Sequence, residues 1–126
     1  MSVITLFSGA FCKDDIIIDE VVASTGFKPI TDKVVVAEAA KASGLDEEKI
    51  RRAFTARTSV FNKFTHEKER AIAYLELALA GILPEENLLL SGYSAQLVPT
   101  TISHVLRVCL IADLQFRTAV AAESEQ

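Results

Sequence analysis

With 126 residues, half of them apolar and a quarter charged, and a net charge of −4, the chain has the size and balance of one globular domain spanning residues 1–126. This excludes a fibre or a disordered tail. Two cysteines, Cys12 and Cys109, are too few for a secreted disulfide scaffold and read as reduced thiols of a cytoplasmic protein. No stretch nears the roughly 20 apolar residues of a membrane span, and the opening VITLF lacks the basic start of a signal peptide.

Val3 to Phe7 is a continuous, β-branched, apolar run, the pattern of a strand covered on both faces in a parallel sheet. Lys13 to Ser24 reads as a helix with Ile16, Ile17, Val21 and Val22 on one broad apolar face, ended by Gly26. Phe27 to Thr31 makes a second strand that Pro29 pushes to an edge. Thr31 or Asp32 caps a helix carrying Val35, Val36, Ala39 and Ala40 and stopping near Gly44, and Asp46 caps another through Ile50 and Phe54. From Thr65 a long helix runs towards Gly81 and Pro84, and its AIAYLELALAGIL is apolar on nearly every side, which predicts burial. Asn87 to Ser91 and Val105 to Ala112 are third and fourth strands, and a last helix begins at residue 113.

Strands separated by helices imply a three-layer α/β domain, with a mostly parallel sheet of about four strands and a helical insertion at about 32–83 between strands two and three. Ligands of such sheets sit outside the carboxyl ends of the strands. The turns after Phe7, Ser91 and Ala112 are therefore the places to look.

The first of these turns, FSGAFCKDD, has Ser8, Gly9 and Lys13 where a phosphate-binding loop would have its cradle. A P-loop needs two glycines, a lysine and a magnesium-holding hydroxyl. With Lys13 as the lysine, Phe7 and Cys12 fill the glycine positions and Asp14 the hydroxyl position. Asp14 and Asp15 also compete for the positive end of the helix dipole, and their simplest role is to cap the helix. Cys12 reads as a buried, inert thiol in a tight turn.

Residues 49–70, KIRRAFTARTSVFNKFTHEKER, hold seven cations against Glu67 and Glu69, a local charge of +5 in a chain that is otherwise −9. The segment reads first as a solvated helical surface, and its arginines are otherwise candidates to grip phosphate, with Arg57 or Lys63 approaching the first turn from the insertion. The acidic remainder opposes broad duplex binding and argues against nucleic acid. Phe61 and Phe64 read as anchors for a connection, and neither His66 nor His104 has a metal-ligand partner at a recognisable spacing, so no metal site is read.

The strand-turn-helix start, GFKPITD, the helical insertion, NLLLSGYSAQLV and HVLRVCLIADLQFR, in this order along almost the whole chain, resemble the cytidylate-kinase-like family of P-loop nucleotide kinases. The most specific match is VLRVCLIADLQFR, similar to the family's strand and Ala-Pro-Leu-x-x-Arg turn, with Asp113 where proline is usual and Arg117 at the arginine. The resemblance implies a third strand beside the first, so that the first, third and fourth strands are central and the second peripheral. It also implies ATP with magnesium at the first turn and a monophosphate such as CMP held by the insertion.

Two departures matter. GAFCKDD is not glycine-rich, and Gly92 is followed by Tyr93 where the family has arginine. The family's lid and fifth strand would follow Arg117, but the chain ends within about ten residues. The expectation is either a degenerate module for nucleotide or anion binding, regulation or dimerisation, with little or no phosphoryl transfer, or a functional nucleoside monophosphate kinase whose remaining parts lie outside this chain. A sheet that stops after its fourth strand also leaves an edge seeking a partner, which argues for a homodimer.

Overall fold

A computed structural model describes residues 2–55 and 65–124. The order is β1 (Val3–Ser8), α1 (Asp14–Thr25), β2 (Lys28–Ile30), α2 (Asp32–Ser43), α3 (Glu47–Thr55), α4 (Thr65–Ile82), β3 (Leu88–Ser91), a short 3-10 helix (Tyr93–Leu97), β4 (Val105–Leu110) and α5 (Leu114–Ser124). All strand pairs are parallel, in the order β2-β3-β1-β4. The third strand lies beside the first, as expected, and the second lies at an edge. β4 is also an edge strand, which corrects the expectation that it is central: its one partner among the described residues is β1.

The chain crosses from β1 to β2 in one direction along the sheet and returns from β2 to β3 in the other. Because such crossovers are right-handed, α1 lies on one face and α2, α3 and α4 on the opposite one. The main core is on the second of these faces. Val3, Leu88 and Leu90, alternate residues in register with one another, pack there with Ile30, Val35, Val36, Ala39, Ile50, Leu75 and Leu79. Each large aliphatic side chain fully buried here contributes about 1.5–3 kcal/mol. β3, enclosed between β2 and β1, is buried throughout.

The face towards α1 is thinner. Leu6 and Leu89 are buried on it, but no residue of α1 is fully buried. Ile18, Val21 and Val22 are its half-buried apolar positions, whereas Ile16 and Ile17 are exposed. The apolar face of α1 is therefore rotated from the one expected, onto an i, i+3, i+4 set. On α4, Ala71, Leu75, Ala78 and Leu79 enter the core while Leu77 is 57 % exposed. A run apolar on every side is thus buried along one stripe only.

Pro29 sits where the sheet can accept it. The Lys28 N–H donates to the Asn87 carbonyl at 2.8 Å, so the next residue has its backbone turned outward, where a missing N–H costs no ladder bond. Both cysteines are free thiols, Cys12 buried and Cys109 exposed. Among the described residues no helix is long and apolar enough to cross a membrane, and no three His, Cys, Asp or Glu side chains converge on a metal position.

Candidate functional site at the carboxyl edge of the sheet

Four loops leave the carboxyl ends of the strands, and each begins with a different local device. After β1, the Gly9 N–H donates to the Leu110 carbonyl at 3.2 Å, tying this turn to the end of β4. Phe11 (φ 61°) and Lys13 (φ 52°) are both left-handed, a conformation costly for residues with bulky side chains. Cys12 is buried between them, its Sγ 3.7 Å from the Ala10 carbonyl oxygen.

Asp14 and Asp15 do not cap α1. The N-cap is Lys13, in its left-handed conformation and with no side-chain cap bond, and the two aspartates fill the first turn. There they complement the dipole, and Asp14 Oδ2 accepts the Ser8 hydroxyl at 2.9 Å. Lys13 Nζ lies 3.8 Å from Glu123 Oε2 of α5.

After β4, Asp113 Oδ1 accepts the Phe116 N–H at 2.8 Å and caps α5. Arg117 is half-buried, and its Nε donates to the Ala112 carbonyl at 3.1 Å. Ser8, Gly9, Lys13 and Arg117 thus occupy the adjoining ends of β1 and β4 and the helices that follow them. Arg57 and Lys63 lie outside the described residues, as do Phe61 and Phe64.

The loop after β3 holds a feature that reading the sequence missed. Asp32, at the start of α2, accepts the Tyr93 N–H at 3.1 Å through Oδ2, and the Ser94 N–H at 2.9 Å and Ser94 hydroxyl at 2.5 Å through Oδ1. Gly92 adopts φ +100°, and a Cβ there would lie 2.0 Å from Asp32 Oδ2. Of the two caps the sequence offers, Thr31 and Asp32, the cap position belongs to Thr31, and the Asp32 carboxylate bonds 61 residues downstream. The signal available was an aspartate ending one strand turn and a Gly-x-Ser opening another.

Beside this clamp is a cavity of about 450 Å³ lined by Asp32, Lys33, Val36, Glu47, Arg51 and Tyr93. Burial pushes the Tyr93 phenol above its usual pKa and the negative charge of Asp32 adds to this, while Arg51 acts in the opposite direction. Arg51 and Arg52 of the basic segment both pair with Glu48, Arg52 at 3.6 Å. At this end of the segment the positive charge is therefore partly answered on the helix surface.

The carboxyl edge therefore offers cations, hydroxyls and amides near the point where strand order reverses, between β1 and β3, the usual ligand crevice of such sheets. A search of curated proteins returns no match. The family model of the cytidylate kinase-like family matches residues 3–126. The parallel sheet, its crevice and this match over nearly the full length agree, and the chain belongs to the cytidylate kinase-like family.

Proposed function

We propose that this domain acts by binding, as a regulatory or self-associating module of the cytoplasm, and transfers phosphate from ATP to a nucleotide slowly or not at all. One observation carries the reading: each candidate phosphate-binding group already meets an acceptor of the chain's own, Arg117 through its Nε. Ser8 donates to Asp14, Gly9 to Leu110, Arg117 to Ala112, and Tyr93 and Ser94 to Asp32, while Lys13 faces Glu123.

A phosphate would have to displace these partners, three of them carboxylates that would then repel it. The turn does not fit ATP with magnesium. Its Gly9 amide is committed, its left-handed positions carry Phe11 and Lys13, and the magnesium-hydroxyl position is Asp14, which accepts the Ser8 hydroxyl. Phosphoryl transfer depends on positioning and charge neutralisation, and this turn supplies little of either.

A second reading, a functional nucleoside monophosphate kinase completed by parts outside this chain, draws its support from the cavity of about 450 Å³ with Lys33 and Arg51 in its wall. A coupled assay with ATP, magnesium and CMP separates the two. The expected result is no turnover above background. A rate of about 1 per second or more, the low end for kinases, overturns the proposal in favour of the second reading.

A further inference from the structure

One side of the basic segment faces away from the carboxyl edge. At about 100° per residue, Lys49, Arg52 and Ala53 stand on the side of α3 opposite Glu47 and Arg51, the two residues this helix gives to the cavity beside Tyr93. There α3 packs against α4, and Lys49, Arg52, Ala53, Glu67 and Lys68 line a separate hollow of about 170 Å³.

Three cations and one carboxylate give this lining a charge of +2. The chain answers those cations poorly. Among the described residues Lys49 and Lys68 form no ion pair, and Arg52 meets Glu48 through Nε at 3.6 Å, too long for a hydrogen bond. Residues 56–64, which join the two helices in sequence, contain no aspartate or glutamate, so they bring no carboxylate to the hollow. Glu69, the other acid of the segment, lies 3.9 Å from His66. Lys68 is half-buried, and a partly desolvated ammonium gains more from an arriving anion than one in open water does.

Size and charge select the ligand class. Pockets for small molecules usually enclose about 300–1,000 Å³, so this hollow is too small for a base and sugar. With each water taking about 30 Å³, it has room for about five, enough for one tetrahedral oxyanion. A phosphate group carries about −1.5 to −2 at neutral pH, which matches the lining. We infer that the hollow between α3 and α4 binds a phosphate group, free or at the end of a small phosphomonoester, with Lys49, Arg52 and Lys68 as its donors. Arginine grips such a group through paired N–H bonds and lysine as a point charge. The site is separate from the turn after β1 and is independent of whether the domain transfers phosphate.

The test titrates inorganic phosphate into the isotope-labelled full chain at low salt, with amide NMR to resolve this hollow from the turn after β1. The amides of Lys49, Arg52, Ala53 and Lys68 are expected to shift with a Kd of about 1 mM, ahead of those of Gly9 and Lys13. Lys68→Gln is expected to weaken binding about two- to fivefold, the size of one exposed charge contact, with an unchanged circular dichroism spectrum. Should it fail to fold, Lys49→Gln, at an exposed position, takes its place. Glu67→Gln is expected to tighten binding by a similar factor, because it removes the one negative charge of the lining. A purely structural role for Glu67 would give no such gain.

Glycerol 3-phosphate separates the two sources of the group: shifts equal to those of inorganic phosphate assign the ester, and none assigns the free ion. No shift at the α3 and α4 amides up to about 20 mM phosphate, or shifts that Lys68→Gln and Glu67→Gln both leave unchanged, overturns the inference. So does a single-stranded oligonucleotide that binds these residues at least about a hundredfold more tightly than phosphate, which would make the surface a nucleic-acid face.

Discussion

Gly92 and Asp32 form a pair in which each residue's identity is dictated by the other. The carboxylate needs the Tyr93 and Ser94 amides, and these point at it because Gly92 adopts φ +100° with no Cβ in the way. Gly92→Ala is expected to cost about 2–4 kcal/mol, from left-handed strain together with lost hydrogen bonds. Asp32→Ala leaves buried donors unpaired and is expected to cost about 1–3 kcal/mol. Urea denaturation of the double variant checks their dependence on each other, with a combined loss smaller than the sum of the two expected. Tyr93 provides a pH test. Its phenol is held above the usual value of 10.0, first by burial and then by Asp32, so its contribution to stability is complete below that pH and is lost as pH rises through the higher folded value. Absorbance titration is expected to show a late phenolate fraction that vanishes in Tyr93→Phe.

At the scale of the element, α4 shows how packing selects one stripe from a helix that is apolar nearly all round. Leu75 is 0 % exposed and enters the core, while Leu77, two residues on, stands 57 % exposed. Leu75→Ala is therefore expected to cost about 2–5 kcal/mol, and Leu77→Ala no more than about 0.5 kcal/mol. Thermal or urea unfolding of the two variants gives the comparison, and equal losses would show that the helix is buried on both sides. The ends of α1 and α2 were legible from Gly26 and Gly44, whose N–H groups donate to Val22 and Ala40. Which face would be buried was not legible, because Ile16, Ile17 and Ile18 are equivalent by hydropathy and the position of the sheet separates them.

For the whole molecule, the question is how much anion affinity remains when donors and acceptors are paired internally. Lys13 and Glu123 are both well exposed at 3.8 Å, a pair worth at most about 1 kcal/mol, so a sulfate can compete there only weakly. Calorimetry with sulfate, CMP and ATP is expected to give a Kd of about 1 mM or weaker, weakened further by Lys13→Ala or Arg117→Ala and by added salt. Binding that both substitutions leave unchanged would move the site elsewhere, with the cavity beside Tyr93 the next place to examine.

The sequence by itself determined the alternation of strands and helices, the parallel sheet, Pro29 at an edge and the position of the turns that follow the strands, because hydrophobic period, helix-ending glycines and the missing proline N–H are local properties. It also brought the family within reach, since the matching segments follow one another along the chain. Only the tertiary structure decided that β4 pairs with β1 alone among the described residues, that Asp32 serves a loop 61 residues away, and that donors of the carboxyl edge meet acceptors within the chain. Each of these depends on which distant segments become neighbours. That is set by the closing of the sheet and the packing of its helices, and it leaves no periodicity along the chain to be read.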